Sequence, residues 1–230
     1  ILGFTPHWLV NAVVVTGTVS AVRELATRPD VLRIEADLVP ELIAPVASGV
    51  PVNKESAGIG ITPGVVAVGA RRVWDELGID GTGALVGIID SGVDATHPAF
   101  AARWQGHFGP AENAWLDAAQ LGHPTVPVDV QGHGTHVMGI LTGVAADDTI
   151  GVAPGAHWIA TNGIQAGTAT FDNSIMASLE FMTDPDGNPA TTDDVPDVVN
   201  NSWGVNESFA GYLDCDSRWW DLIDNCEAAG

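Results

Sequence analysis

Two side chains in this sequence stand where chemistry is usually done. His133 lies in the stretch Gln131 to Gly143, QGHGTHVMGILTG, flanked by Gly132 and Gly134 and followed by Thr135 and His136. Val137, Ile140, Leu141 and Val144 recur at helical spacing, so a helix is predicted to start at or beside His133. Gly139 and Gly143 each cost roughly 1 kcal/mol relative to alanine in a helix interior, which predicts a buried helix with another backbone passing close. The second residue is Asp90, at the end of the apolar run Ala84 to Asp90, ALVGIID. A buried parallel strand reads this way, and its carboxyl end is where open α/β sheets place their active sites. A lone histidine among apolar residues is more often a core residue satisfied by a neighbouring carbonyl. An acid at a strand end changes that reading, because a carboxylate can fix the tautomer of an imidazole and leave the other ring nitrogen to take a proton from a nucleophile.

The residues around the pair carry a resemblance. IIDSGVDATHP followed by GHGTHVMG resembles the aspartate and histidine motifs of the subtilisin-like serine peptidases. Gly151 to Ala156, GVAPGA, resembles the loop after the histidine helix in that family, and Val198 to Gly204, VVNNSWG, resembles its substrate-binding strand. The resemblance covers nearly the whole chain. It implies that Asp90 and His133 are catalytic, that Ser202, Trp203 and Gly204 contact substrate, and that Ala166 to Thr170 is a looser match to the opposing substrate strand. Core packing is the alternative for Trp203, since tryptophan serves in both settings. The family also has an oxyanion-hole asparagine and a Gly-Thr-Ser motif bearing the nucleophile. No serine here stands in that glycine-flanked context, so the nucleophile is expected beyond the C-terminus of these residues. The chain is expected to be the N-terminal portion of a secreted serine endopeptidase, a zymogen whose fragment is inactive alone.

The elements that must position Asp90 and His133 can be read in outline. Asn11 to Thr16, NAVVVT, is predicted as a strand, Ser20 to Arg28 as a short helix and Val31 to Ala36, VLRIEA, as an alternating strand. Set before a subtilisin-like domain, this unit resembles the C-terminal half of an α+β inhibitory propeptide, with its first strand upstream of Ile1. Residues 1–45 are therefore expected to be propeptide. Residues 46–62, rich in Pro, Gly and Ser, are expected to be a linker with the maturation site. Residues 63–230 are expected to be the N-terminal portion of the catalytic domain. Gly64 to Leu77 is predicted to contain helix, Ala156 to Ile164 strand, and Asp172 to Met182 a helix capped by Asp172 or Asn173. Alternating strands and helices predict an α/β fold with a doubly wound, mostly parallel sheet. Gly81, Gly83 and Gly87 do not make a nucleotide site, because they precede and enter a strand and do not lead from one into a helix. The insertion from Trp104 to Val130 carries no catalytic signature, and His107 and His123 within it read as surface residues.

Composition narrows the partners. Eight Lys and Arg against 29 Asp and Glu give a formal net charge of −21, which repels nucleic acid and anionic membrane. A 46% hydrophobic content over 230 residues is enough for one substantial core. No apolar run approaches the roughly 18 residues of a membrane span. Protein or peptide substrates and the chain's own propeptide are the expected partners, with neither nucleic acid nor membrane among them, and an acid excess with Lys54 as the single lysine fits an extracellular or salt-adapted protein.

Three further features have two readings each. Asp184, Asp186 and Asn188, with Asp193 and Asp194 after them, resemble the start of a loop for a structural calcium ion; without a bidentate Glu at the twelfth position, a solvated acidic turn is the other reading. Ala99 stands where many relatives carry an acidic calcium ligand. No cofactor is expected for catalysis. Cys215 and Cys226 are expected to form a local disulfide in a secreted peptidase, or else are two unrelated small residues. Finally, Asp90, His133 and His136 could hold a metal in a hydrolase of another class, but no HExxH-type acidic partner adjoins them, and a non-catalytic protein-binding module is the third class.

Overall fold

The computed structural model describes residues 1–40, 60–145, 148–166, 170–204 and 217–229. The chain opens with a hairpin in which β1 (Gly3–His7) pairs antiparallel with β2 (Ala12–Thr16), followed by α1 (Val19–Leu25). Thr18 caps that helix by accepting from the backbone N–H of Ala21 at 3.3 Å. β1 is not legible in the sequence, because Pro6 argues against a strand; the proline is tolerated here in a two-stranded ribbon with one partner only. Val31 to Ala36 forms no strand. Its alternation exposes Leu32 and Ile34 instead of burying them. The segment is anchored just beyond its end, where Leu38 is buried and Asp37 reaches the main domain. The boundaries expected at residues 45 and 46 lie outside the described residues, as does the linker apart from residues 60–62.

The helical segment before the sheet is split. α2 (Pro63–Ala67) ends at a turn through Gly69, and α3 (Ala70–Leu77) ends at Gly78. β3 (Leu85–Ile89) comes next and is buried at every position. Three short 3₁₀ turns then lead to β4 (Trp115–Leu116), which gives the insertion before His133 a structural role as a sheet strand. α4 (His133–Thr142) is followed by the small antiparallel pair β5 (Val144–Ala145) and β6 (Asp148–Thr149). The remaining elements are β7 (His157–Thr161), α5 (Phe171–Thr183), β8 (Val198–Asn201) and α6 (Trp220–Ala229).

The four-stranded sheet has the order β4-β7-β3-β8, and every pair in it is parallel. From β3 the chain runs out to the edge strand β4, returns through α4 to β7 beside β3, and then crosses through α5 to β8 on the other side of β3. The strand order thus reverses at β3, and the carboxyl end of that strand is the switch point where such sheets form their binding crevice. Ile88, Ile89, Trp158, Ile159, Met138 and Ile175 are fully buried around it. Burial of this kind contributes about 25 cal/mol per Å² of apolar surface and fixes the strand that carries Asp90. Leu9 and Leu38 join the same core cluster, so the first forty residues pack against the sheet domain.

Candidate active site

Asp90 comes directly after the last residue of β3 and is 1% exposed. Its backbone N–H donates to Thr161 O at 3.4 Å, and its carbonyl accepts from Ile164 N at 2.9 Å, so the neighbouring strand and the loop after it hold the main chain on both sides. His133 is the first residue of α4. Gly132 before it has φ of 83°, a left-handed conformation that lets the incoming loop turn sharply into the helix. A Cβ on Gly134 would lie 2.0 Å from the carbonyl oxygen of Gly92. Any other residue at position 134 would therefore push the helix start away from the strand end. Of the two close approaches predicted, the one at Gly143 occurs, where Gly151 N donates to Gly143 O at 2.8 Å, whereas nothing approaches within 4 Å of a Cβ built on Gly139. The helix is also less buried than its apolar pattern predicts: it covers the core through Gly134, Met138 and Thr142 and exposes Ile140.

This geometry brings the predicted pair together. His133 Nδ1 lies 2.7 Å from Asp90 Oδ1, the same oxygen that accepts from Ser91 N at 2.7 Å. With Nδ1 engaged by the carboxylate, Nε2 is the nitrogen left for proton transfer. The His133 side chain is 27% exposed, which leaves it accessible to a reacting group. Burial pushes the Asp90 carboxyl above its ordinary value, opposed by the hydrogen bonds from His133 and Ser91. Among the described residues Asp90 Oδ2 is buried without a hydrogen-bond partner.

A second carboxylate, Asp129, belongs to the site although the sequence does not single it out. Its Oδ1 accepts from Ser91 Oγ at 2.9 Å, Gln131 N at 3.0 Å and Gly132 N at 2.8 Å. Its Oδ2 accepts from Thr135 N at 2.9 Å and Thr135 Oγ1 at 2.7 Å. Ser91 Oγ in turn accepts from Gly134 N at 3.0 Å, and Gln165 Nε2 donates to Ser91 O at 3.0 Å. The only signals in the sequence are positional: Ser91 is next to Asp90, and Asp129 stands one helical turn before His133.

The register Ile89↔Asn201 carries Ser202 and Gly204, both exposed, beyond the same end of the sheet as Asp90. Trp203 is half-buried among aromatic rings, edge-on to Phe171 and Trp219 at centroid distances of 5.6 Å, and its indole N–H donates to Asn201 Oδ1. Packing against these rings is thus the setting of its side chain. His136 is exposed on the outer side of α4, apart from the Asp90–His133 pair. Among the described residues no group of three or more His, Cys, Asp or Glu could hold a metal ion.

Asp184, Asp186 and Asn188 follow one another on the turn after α5. Asp186 Oδ1 accepts from Asn188 N, Asn188 Oδ1 accepts from Ala190 N, and Asp184 ends α5. Asp194 nearby has both carboxylate oxygens buried without partners, and burial followed by the charges of Asp186 and Asp193 raises it. Cys226 is a half-buried free thiol whose Sγ lies 4.0 Å from Leu179 O. Its expected partner Cys215 lies outside the described residues, as do residues 167–169 of the looser substrate-strand match.

A family model described as the subtilase family matches residues 81–229. Bacillopeptidase F of Bacillus subtilis (strain 168) is 34% identical over 231 residues, 93% of this chain and 16% of that protein. The minor extracellular protease Vpr of the same organism is 34% identical over 143 residues, 60% of this chain and 16% of its own length. Subtilisin E, also from Bacillus subtilis (strain 168), is 30% identical over 149 residues, 64% of this chain and 32% of its own length. The chain thus spans between 16% and 32% of the length of these relatives.

Proposed function

Because the chain belongs to the subtilase family, we propose that the complete protein is a secreted serine endopeptidase in which Asp90 and His133 are two members of an Asp-His-Ser triad. The observation that carries this reading is the 2.7 Å contact between His133 Nδ1 and the buried Asp90 Oδ1 at the switch point of the sheet. A serine hydroxyl is a weak nucleophile until a base takes its proton. His133 would accept that proton at Nε2 and return it to the leaving amine, while Asp90 holds the tautomer and stabilises the imidazolium. The nucleophile and the oxyanion donors would come from residues outside these 230. Exposed Ser202 and Gly204 would offer main-chain contacts to an extended peptide, with Trp203 supporting them from the aromatic cluster.

The first forty residues fit the part of an intramolecular propeptide. Glu180 on α5 accepts from the backbone N–H groups of Trp8 and Leu9 and lies 3.1 Å from His7 Nδ1. Asp37 accepts from Asp172 N at 2.9 Å, capping the start of α5 from outside the helix. Secretion is supported by the name of one relative, an extracellular protease. Among the described residues no helix is long and apolar enough to cross a membrane.

The test is covalent labelling. A fluorophosphonate should label one serine in the complete, matured protein and none in the 230-residue chain, because nucleophile, base and oxyanion donors act as one unit. Labelling of a serine within these 230 residues, or hydrolysis that survives His133→Ala and depends on added zinc, would replace this reading with another.

A further inference from the structure

We propose that Asp129 and Ser91 are positioning residues for the catalytic pair: Asp129 seats the first turn of α4 and holds the Ser91 hydroxyl away from Asp90. The inference rests on the serine-peptidase reading and adds a role to it.

The leading N–H groups of a helix have no partner within it and are normally satisfied by an Ncap side chain. In α4 the N-cap is Gly132, which has no side chain, and the left-handed backbone at that position favours glycine. Capping is delegated. Gly134 N donates to Ser91 Oγ, and Thr135 N donates to Asp129 Oδ2. Asp129 also takes Gly132 N, Gln131 N and the hydroxyl of Thr135, whose oxygen accepts from Asp94 N at 2.9 Å. A carboxylate offers about four lone-pair sites, so five donors leave Asp129 saturated and fixed. Ser91 is covalently next to Asp90. The two residues therefore tie the strand end to the helix start, and the distance between Asp90 and His133 is set across that tie.

The tie also decides where one proton goes. Ser91 has one hydroxyl hydrogen and donates it to Asp129 Oδ1. Among the described residues Asp90 Oδ2 has no hydrogen-bond partner, and the Ser91 side chain is the last and least of the groups that lower the Asp90 carboxyl. If the acceptor at position 129 were removed, the Ser91 hydroxyl would be free to turn toward Asp90. A carboxylate that gains a hydrogen bond holds a neighbouring imidazolium less strongly, and the loss of the Asp129 charge acts in the same direction. Both effects weaken the hold of Asp90 on the imidazolium that forms during turnover, so kcat falls. The charged groups around His133 are Asp90 from the strand end and Asp129 from the preceding loop; Asp94, on the loop after β3, gives its carboxylate to Thr96.

The experiment uses the complete, matured enzyme with Asp129→Ala, Asp129→Asn, Ser91→Ala and His133→Ala, measuring kcat and KM on a peptide substrate from about pH 5 to about pH 10. Asp129→Ala should lose about 100-fold in kcat with KM within about threefold of wild type, as a small displacement of a catalytic group does. Asp129→Asn keeps one acceptor oxygen and should recover about tenfold of that loss, and Ser91→Ala should lose about tenfold. A near-wild-type kcat in Asp129→Ala or a loss confined to KM would overturn the proposal. Should Asp129→Ala fail to fold, the same criteria apply to Asp129→Asn and Ser91→Ala, and wild-type behaviour of both overturns it. If His133→Ala stays active, the peptidase reading fails and takes this one with it; an inactive His133→Ala beside an unaffected Asp129→Ala sinks the positioning role alone.

Discussion

Asp90 and Asp172 are both buried carboxylates facing one basic group, yet their surroundings do opposite things. Asp90 is met by hydrogen-bond donors, His133 Nδ1 and Ser91 N, which oppose the upward push of burial. Asp172, at the start of α5, has its Oδ2 3.2 Å from Arg218 Nη1, but Asp37 and Glu35 crowd it, and burial followed by the charge of Asp37 raises its carboxyl to about 7. In the proposed mechanism the first site uses a buried charge to orient a base. The second lies where the first forty residues dock and makes the ionisation of Asp172 compete with that docking. Position along the elements explains the contrast: a strand end and a helix start converge on Asp90, whereas the Asp172 site is assembled from three acids and one arginine at a packing joint.

The largest expected effect breaks the first half of the comparison. In the complete enzyme His133→Ala should lower kcat by several orders of magnitude, and Asp90→Asn by about 10⁴-fold through the wrong imidazole tautomer, with KM changed little in either. Steady-state kinetics on a peptide substrate checks both. His136→Ala, altering an exposed residue on the outer side of the same helix, should retain far more activity than His133→Ala.

These two residues are legible in the sequence for a physical reason. An oriented base needs a buried strand end and a glycine-flanked helix start, and both requirements leave local residue patterns. The features that leave no such pattern are tertiary. Asp129 is one acid among many until the fold gathers five donors on it, and nothing in its neighbours announces that. The alternation of Val31 to Ala36 predicts a strand, but a strand needs an edge to pair with, and that is decided elsewhere in the chain. Gly139 and Gly134 look alike in sequence, yet only Gly134 meets a crossing backbone. Trp203 has equal claims on substrate and core until Phe171 and Trp219 close around it.

The next effect concerns the docking of residues 1–40. Glu180→Ala removes the acceptor for two backbone N–H groups and one of the two side-chain partners of His7, which is buried at 4% exposure and keeps Asn173. The Trp8 contact is exposed and water can replace it, whereas that of Leu9 is partly buried; leaving one buried donor unsatisfied costs about 1–3 kcal/mol, so the segment should be held about tenfold more weakly. Limited proteolysis of the precursor should then cut within the first forty residues faster in the variant, with activity of the matured enzyme unaltered. Equal cleavage rates would show that the contacts around Glu180 do not hold the segment.

The smallest effect, and the most specific, is at Asp172. An aspartate in the unfolded chain titrates near about 3.9, whereas in the fold Asp172 is raised to about 7. Between those values the folded state binds more proton than the unfolded chain, so stability contributed at this residue is present at low pH and is lost as pH rises through about 7. Asn at this position resembles a carboxyl that stays protonated. Asp172→Asn should therefore match wild type at about pH 4 and melt a few °C higher at about pH 8, where wild type carries the ionised group. The loss of the Arg218 contact acts against this gain, but burial and the charge of Asp37 outrank it among the causes of the shift, so the sign stands. Thermal melting of the precursor at the two pH values decides the matter. The difference should vanish in protein from which residues 1–40 have been removed if Asp37 and Glu35, and not burial within α5 alone, are what make ionised Asp172 unfavourable. A variant that melts lower than wild type at both pH values would mean that Arg218 governs the joint and that the contrast with Asp90 is drawn in the wrong place.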